Sequence, residues 1–104
     1  MPYRDPLERA RHSRERHQER YQFLAAYKLT VGCLDCGYRH HAAALEFDHI
    51  PERGPKRFTL TRGGLGVGWP ALLLELEKCE VVCSNCHHIR TVVRRADVPS
   101  LECP

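Results

Sequence analysis

The chain has 104 residues, of which 42% are hydrophobic and 8% are aromatic, so it can form one small domain with a modest core. This length excludes a doubly wound nucleotide-binding fold and a barrel enzyme. No run of about eighteen apolar residues occurs, and the polar N-terminus lacks the apolar stretch of a secretion signal. The sequence therefore predicts a cytoplasmic protein with no membrane partner.

The formal net charge is +3, and Arg supplies 13 of the 16 basic residues. Guanidinium groups bind phosphate in a planar, bidentate geometry that Lys does not reproduce. This composition favours nucleic acid as a partner, but it is equally typical of a proteome that uses Arg wherever others use Lys. Composition alone leaves both interpretations open.

Residues 1–30 are predicted to contain an Arg-rich helix that extends to about Lys28. Asp5 followed by Pro6 is typical of a helix start. The first half of the helix has almost no apolar side chain, whereas the second half presents an apolar stripe. The stripe consists of Tyr21, Phe23, Leu24, Tyr27 and Leu29. We expect the second half to pack on the core and the first half to lie in solvent, either against a nucleic-acid backbone or as a charged surface.

The middle of the chain combines strand, loop and helix signals. Apolar and acidic residues alternate over positions 45–48, which predicts a short strand that Pro51 ends. The glycines of the following loop, residues 52–68, lack the Gly-Lys-Ser/Thr ending of a phosphate-binding loop, so this function is excluded. Trp69 is predicted to start a second helix, residues 81–82 predict a second short strand, and a third helix follows the last cysteine turn.

Four of the six cysteines form two Cys-x-x-Cys pairs with 46 residues between them. A two-residue spacing lets one tight turn, here followed by Gly37, present both thiolates to a metal ion, and two such turns complete a tetrahedral zinc site. A disulfide framework is disfavoured because no export signal is found. The predicted ligands of structural Zn²⁺ are Cys33, Cys36, Cys83 and Cys86. Cys79, in or near the core, and Cys103, on the tail, fit neither pair.

Three polar residues lie between the two cysteine pairs or directly after the second pair. Asp48 and His49 end the predicted strand, and His87 directly follows the last zinc cysteine. Zinc would hold the start of the last helix beside the strand, which would bring Asp48 near His87. A carboxylate and an imidazole form part of the ligand shell of a divalent ion, and a second imidazole can take a proton from water. The alternative is an Asp-His pair with only a local hydrogen bond at the strand end.

Three segments carry the motifs C-x-x-C-G at 33–37, L-E-F-D-H-I at 45–50 and C-S-N-C-H-H-I-R-T at 83–91. In this order they resemble the zinc-bearing branch of the HNH (His-Asn-His) endonucleases of phages and bacteria, over roughly residues 31–95. The resemblance implies an α+β chain with a small ββα-metal (HNH) fold, a four-cysteine zinc knuckle pair and an added N-terminal helix. Residues 31–96 would form the nuclease domain and residues 97–104 a tail.

By position in these motifs, the resemblance makes His49 the general base and makes Asp48 and His87 the ligands of catalytic Mg²⁺, Mn²⁺ or another divalent ion. The implied activity is metal-dependent hydrolysis of phosphodiester bonds in DNA, as a nick or a double-strand cut. The resemblance would place the protein with packaging or restriction machinery. The oligomeric state is not predicted.

One position departs from the family pattern. The middle Asn normally lies several residues before the second cysteine pair, where it orients the general base, but residues 77–80 here read Glu-Lys-Cys-Glu. Asn85 is the only Asn in the chain. We therefore expect Asn85, Glu80 or a backbone carbonyl to orient His49, or else a weakened catalytic site.

Arginines are expected to contact the phosphates of DNA. The candidates are Arg57, Arg62, Arg90, Arg94 and Arg95. Arg90 and Arg94 are four residues apart and so share a face of the predicted last helix. The rival hypothesis is a non-catalytic, zinc-finger-like module that binds nucleic acid or protein. Such a module has no use for Asp48, His49 and His87 together.

Overall fold

The structure is a computed structural model that describes residues 5–60 and 66–96. These residues form a small α+β fold with three α-helices and one two-stranded antiparallel sheet. In chain order the elements are α1 (Pro6–Val31), β1 (Leu45–His49), α2 (Trp69–Leu76), β2 (Cys79–Cys83) and α3 (Ser84–Ala96). Arg62, Cys103 and the predicted tail at 97–104 lie outside the described residues.

Helix α1 begins and ends at residues whose chemistry explains its bounds. The Asp5 side chain accepts a hydrogen bond from the Leu7 N–H at 2.9 Å, and Pro6 occupies the first turn, where its missing N–H has no consequence. The helix runs a few residues beyond the predicted end near Lys28. It ends at Gly32, which adopts a φ of 75° and donates its N–H to the Lys28 carbonyl at 2.7 Å.

The second half of α1 packs on the core through part of the predicted apolar stripe, whereas Tyr21 and Phe23 of the stripe are exposed. Leu24 is 3% exposed, and Arg20 is buried although it is charged. The Arg20 guanidinium lies 4.5 Å from the centroid of the Trp69 ring, and its Nε donates to the Val67 carbonyl at 2.9 Å. These contacts satisfy the buried cation. Most residues in the first half of α1 are exposed.

The two strands of the sheet pair in a single antiparallel register. Leu45 of β1 pairs with Cys83 of β2, Phe47 pairs with Val81, and His49 pairs with Cys79. The long connection between the strands contains α2, and α3 follows β2 without a loop. This ββα order places the last strand and the start of α3 beside β1, as the sequence predicts.

Two hydrophobic clusters form the core. One consists of Leu24, Leu60, Leu72, Leu76 and Cys79, and joins α1 to α2. The other surrounds the sheet and contains Cys33, Leu45, Val81, Val82, Cys83 and Cys86. The Tyr27 and Phe47 side chains pack against both clusters, so they link the two halves of the core. Within the described ranges, no helix is both long enough and apolar enough to cross a bilayer.

Candidate functional site

The four predicted zinc ligands converge where Leu45 pairs with Cys83. The Sγ atoms of Cys33, Cys36, Cys83 and Cys86 all lie within 4.8 Å of one another, and those of Cys36 and Cys83 are 3.8 Å apart. Four sulfurs around a tetrahedral zinc ion are about 3.8 Å apart, because each Zn–S bond is about 2.3 Å. The donor set therefore fits a structural zinc ion. In the part of the chain that the structure describes, no other group of three or more side chains meets the same distance limit.

Backbone hydrogen bonds shape the first cysteine turn. The Cys33 N–H donates to the Tyr38 carbonyl and the Gly37 N–H donates to the Cys33 carbonyl, each at 2.8 Å. Gly37 has a φ of 83°, a conformation that an L side chain rarely adopts. The Leu34 N–H donates to the Val81 carbonyl at 2.9 Å, which ties the turn to β2. Backbone contacts thus hold the first cysteine turn beside β2, the strand that ends in Cys83.

Cys79 lies apart from the zinc cluster, as predicted. It is 7% exposed within the core, and its Sγ donates to the Glu75 carbonyl at 3.4 Å. Burial, together with the charge of Glu75, raises the pKa of the Cys79 thiol to about 12. Cys79 is therefore a neutral core residue at physiological pH.

The partner of His49 is a buried glutamate. The Nε2 atom of His49 lies 2.9 Å from Oε2 of Glu75 in α2, and Glu75 is 1% exposed. Glu75 also accepts hydrogen bonds from the Arg57 backbone N–H and from Nζ of Lys78, each at 3.0 Å. Burial raises the pKa of the Glu75 carboxyl, but the hydrogen bonds from Arg57, Lys78 and His49 outweigh it and hold the pKa below its ordinary value.

The charge of Glu75 determines the tautomer of His49. An ionised carboxylate can only accept hydrogen bonds, so the hydrogen between the two side chains belongs to Nε2 of the ring. In the neutral ring, Nδ1 of His49 then has a free lone pair. His49 is thus oriented by a carboxylate and keeps a basic nitrogen.

Asp48 faces α3 and is held by two arginines. Asp48 is 2% exposed. Its carboxylate accepts hydrogen bonds from both Nη atoms of Arg94, one on each oxygen and each at 2.8 Å. Arg90 donates Nη1 to Oδ2 at 2.7 Å. Burial raises the pKa of Asp48, yet the hydrogen bonds from Arg94 and Arg90 outweigh it and lower the pKa. A carboxylate has about four lone-pair positions, so the three N–H groups leave one position, on Oδ1.

His87, in the first turn of α3, lies between two carboxylates. Its Nδ1 is 2.6 Å from Oε1 of Glu46, and its Nε2 is 3.5 Å from Oδ1 of Asp48. Burial raises the pKa of Glu46, but hydrogen bonds from His87 and Ser84 outweigh it and lower the pKa. Glu46 is therefore an acceptor, and Nδ1 of His87 donates to it. The lone pair of Nε2 in the neutral ring then faces the oxygen of Asp48 that has a free position.

The structure brings Asp48 and His87 together but directs His49 to the other face of the strand. Alternation along β1 explains this separation, since neighbouring side chains point to opposite faces. Asp48 contacts α3 and His49 contacts α2. Among the described residues, no hydrogen bond or ion pair joins His49 to Asp48 or His87.

Arg90 and Arg94, which were predicted to contact phosphates, have partners within the chain. Arg90 donates Nε and Nη2 to the two oxygens of Asp35, each at 2.7 Å, and donates Nη1 to Asp48 and to Glu80. These hydrogen bonds raise the pKa of Arg90. Arg94 donates to Asp48 alone among the described residues, and 43% of its side chain is exposed. The two arginines neutralise Asp48 instead of pointing freely into solvent.

Arg57 and Arg95 remain available to a phosphate. Both are exposed, and neither side chain makes a hydrogen bond or an ion pair in the described part of the chain. Arg57 lines a cleft of about 580 Å³ whose wall includes Phe58, Leu74 and Glu75. The cleft is therefore beside the carboxylate that orients His49.

Neither Asn85 nor Glu80, which were expected to orient His49, contacts it through a hydrogen bond in the described residues. Glu80 accepts hydrogen bonds from Arg90 and Arg53, and Asn85 is exposed in the first turn of α3. Within residues 5–60 and 66–96, no hydrogen bond joins either of them to His49. The partner of Nε2 of His49 is instead the Glu75 carboxylate, which α2 carries to it.

The sequence contained signals for both missed carboxylates. Glu75 is three residues after the buried Leu72 and directly before the buried Leu76, so it occupies the core-facing side of α2. A lone Glu at such a position indicates a buried polar partner. Glu46 is two residues before Asp48 on a strand and therefore shares its face.

Comparisons with protein-family models, with curated proteins and with solved structures found no match for this chain.

Proposed function

We propose that the protein is a metal-dependent endonuclease that hydrolyses phosphodiester bonds in DNA. The observation that supports this proposal is the polar site around β1. Nε2 of His87 lies 3.5 Å from Oδ1 of Asp48, and His49, the next residue after Asp48, is oriented by a buried carboxylate. The ββα order of the sheet and α3 is also the order that the HNH resemblance implies.

Asp48 and His87 would supply two of the ligands of one divalent ion. Adjacent ligands of a small octahedral ion are about 3 Å apart, because each bond is about 2.1 Å. Glu46 fixes Nδ1 of His87 as the donor, which is how carboxylates commonly orient a metal-binding imidazole. Asp48 keeps one free lone-pair position on Oδ1, the oxygen that lies nearest His87. A bound ion would supply stabilisation of the charge that develops on a scissile phosphate.

The residues of the chain then have separate roles. Glu75 holds the His49 ring so that Nδ1 takes a proton from the attacking water. His49 is the last residue of β1, so a phosphate at this strand end can approach side chains on both faces of the strand. Arg57 and Arg95 bind neighbouring phosphates. The zinc ion at the four cysteines holds α3 against β1 and has no part in the chemistry.

A plasmid assay tests the proposal. Supercoiled plasmid is incubated with the zinc-loaded protein and Mg²⁺ or Mn²⁺, alongside Asp48→Asn and His49→Ala. We expect relaxed or linear plasmid with the wild type and little with either variant. His41→Ala is the matched control, because His41 is exposed and its side chain does not cap the turn that follows it. An intact plasmid with every divalent ion tested would contradict the proposal.

A non-catalytic zinc module is the second candidate, and one observation favours it. Arg90 and Arg94 neutralise Asp48, so the free protein already satisfies the carboxylate that a metal would need. Such a module would bind duplex DNA or a protein without cutting it. Duplex binding that is equal in the wild type and in Asp48→Asn, together with an intact plasmid, would support the module.

A further inference from the structure

The two arginines on Asp48 differ in how firmly the chain holds them. Arg90 donates to three carboxylates, those of Asp35, Asp48 and Glu80, and its side chain is 19% exposed. Arg94 donates only to Asp48 in the described part of the chain, is 43% exposed and lies in the last turn of α3. Release of Arg94 therefore breaks one pair, whereas release of Arg90 breaks three.

The position of Arg94 conflicts with metal binding. Its Nη1 donates to Oδ1 of Asp48, and this is the oxygen that faces Nε2 of His87. A divalent cation bound at Oδ1 would lie close to the guanidinium, and like charges repel. Arg94 in this position therefore lowers the affinity of Asp48 and His87 for an ion.

A phosphate can replace Asp48 as the partner of Arg94. Guanidinium binds phosphate and carboxylate with the same bidentate geometry. The exposed position of Arg94 leaves it within reach of a nucleic-acid backbone, and the adjacent Arg95 is an exposed cation without a partner among the described residues. Arg90 would continue to satisfy Oδ2 of Asp48 after Arg94 has left.

We propose that Arg94 exchanges between Asp48 and a backbone phosphate, so that binding of nucleic acid raises the affinity of Asp48 and His87 for a divalent ion. This inference rests on the proposed function, because it assumes that these two residues bind the ion. Binding free energies are reciprocal, so the ion must also raise the affinity for nucleic acid. The free protein would thus hold its metal weakly until substrate arrives.

The test measures Mn²⁺ binding to the zinc-loaded protein without nucleic acid, from the electron paramagnetic resonance signal of free Mn²⁺. We expect Arg94→Ala to bind Mn²⁺ at least about 5-fold more tightly than the wild type, within the usual range of coupling between two sites. Arg94→Gln removes the charge but keeps a side chain that can donate a hydrogen bond to Asp48. This variant replaces Arg94→Ala in the assay if Arg94→Ala fails to fold. Val92→Ala is the matched control on the same helix, because Val92 is 40% exposed and has no role in the site, and it should bind Mn²⁺ like the wild type.

A second measurement tests the phosphate half of the exchange. The affinity for a short DNA duplex is followed against salt concentration without divalent ions. Arg94→Gln should reduce the slope of log affinity against log salt by about 1, because one phosphate contact is lost. An unchanged slope would overturn the exchange.

The outcomes separate this inference from the proposed function. Equal Mn²⁺ affinities for the wild type and Arg94→Gln would overturn the role of Arg94 and leave the endonuclease proposal intact. Mn²⁺ binding by neither protein would overturn both the exchange and the assignment of Asp48 and His87 as ligands. Tighter binding by Arg94→Gln with a reduced salt slope would support both.

Discussion

At the scale of single residues, the charged groups around β1 are almost all paired. Asp48 and Glu75 are buried, and each accepts three hydrogen bonds from cations, a histidine or the backbone. Burial alone would favour the neutral acid, so these hydrogen bonds keep both carboxylates ionised. Removing one partner leaves a buried charge uncompensated, which makes the stability of the fold sensitive to these side chains.

Glu75→Gln tests this dependence through pH. The folded-state pKa of Glu75 lies below its ordinary value of 4.5, so its contribution to stability is complete above that pH and is lost as pH falls through the folded pKa. At about pH 7 we expect Glu75→Gln to lower the free energy of unfolding by about 3 kcal/mol. Urea unfolding of both proteins across the acid range should show this difference shrinking as pH falls.

The difference between the two proteins isolates Glu75, because zinc release at low pH affects both of them. A difference that stays constant from neutral pH to well below the ordinary pKa of a glutamate would contradict this account of Glu75. Leu74→Ala is a control for α2, since Leu74 is 62% exposed and should change stability little at any pH.

Side-chain partners were the part of the site that the sequence predicted least well. The predicted zinc site implied that Asp48 would lie near His87 although the two are far apart along the chain, and the register of the sheet explains why they meet. The partner of His49 is 26 residues away on another helix, and no local spacing specifies that contact. Arg90 and Arg94 share a helix face, but their acidic partners Asp35 and Asp48 are distant along the chain and no local spacing specifies these pairs.

At the scale of elements, the four cysteines bring together three segments of the chain. Cys33 and Cys36 follow α1, Cys83 ends β2, and Cys86 lies in the first turn of α3. One metal ion bound by these cysteines would fix the end of α1 and the start of α3 to the same edge of the sheet. A small core gains stability from such a link because metal binding adds to the free energy of folding.

Cys36→Ser tests the link with little disturbance of packing. Cys36 is the exposed member of the cluster, so the substitution removes a ligand without opening a cavity. We expect zinc content to fall below one ion per chain and the free energy of unfolding to fall by about 3 kcal/mol or more. Metal analysis and urea unfolding measure the two effects.

Cys79→Ala is the matched control for the zinc prediction. Cys79 is buried but lies outside the cluster, so this variant should keep one zinc ion per chain even if the cavity lowers stability. Full zinc content in Cys36→Ser would contradict the four-cysteine site.

The elements themselves were largely predictable. Asp5 with Pro6, the alternation before Pro51, and the cysteine turn before α3 each specify a boundary through local chemistry. The lengths of β2 and of the end of α1 were underestimated, because strand pairing with β1 and the φ of Gly32 set them. These features depend on tertiary contacts or on backbone conformation rather than on residue pattern.

At the scale of the whole molecule, the arginine-rich composition has more than one use. Arg20, Arg90 and Arg94 pair with groups inside the protein, whereas Arg57 and Arg95 are exposed without such partners in the ranges that the structure describes. The net charge of +3 therefore does not show which arginines are exposed near the candidate site. We expect salt-dependent binding of nucleic acid to depend on the exposed group.

Arg57→Ala tests that expectation. Between about 50 and 200 mM salt, the slope of log affinity for a DNA duplex against log salt should decrease by about 1. Arg57→Lys keeps the charge and should keep the slope. Fluorescence anisotropy without divalent ions measures both variants, and an unchanged affinity in Arg57→Ala would exclude a phosphate contact by this residue.

The rate of DNA cleavage by His49→Ala tests the central proposal most directly. With the protein in excess over a plasmid and Mn²⁺ present, we expect the rate constant to fall by about 10²- to 10⁴-fold relative to the wild type while duplex affinity is unchanged. Added imidazole should restore part of the rate, because it can replace the missing base. A His49→Ala variant that cleaves as fast as the wild type would contradict the role of His49.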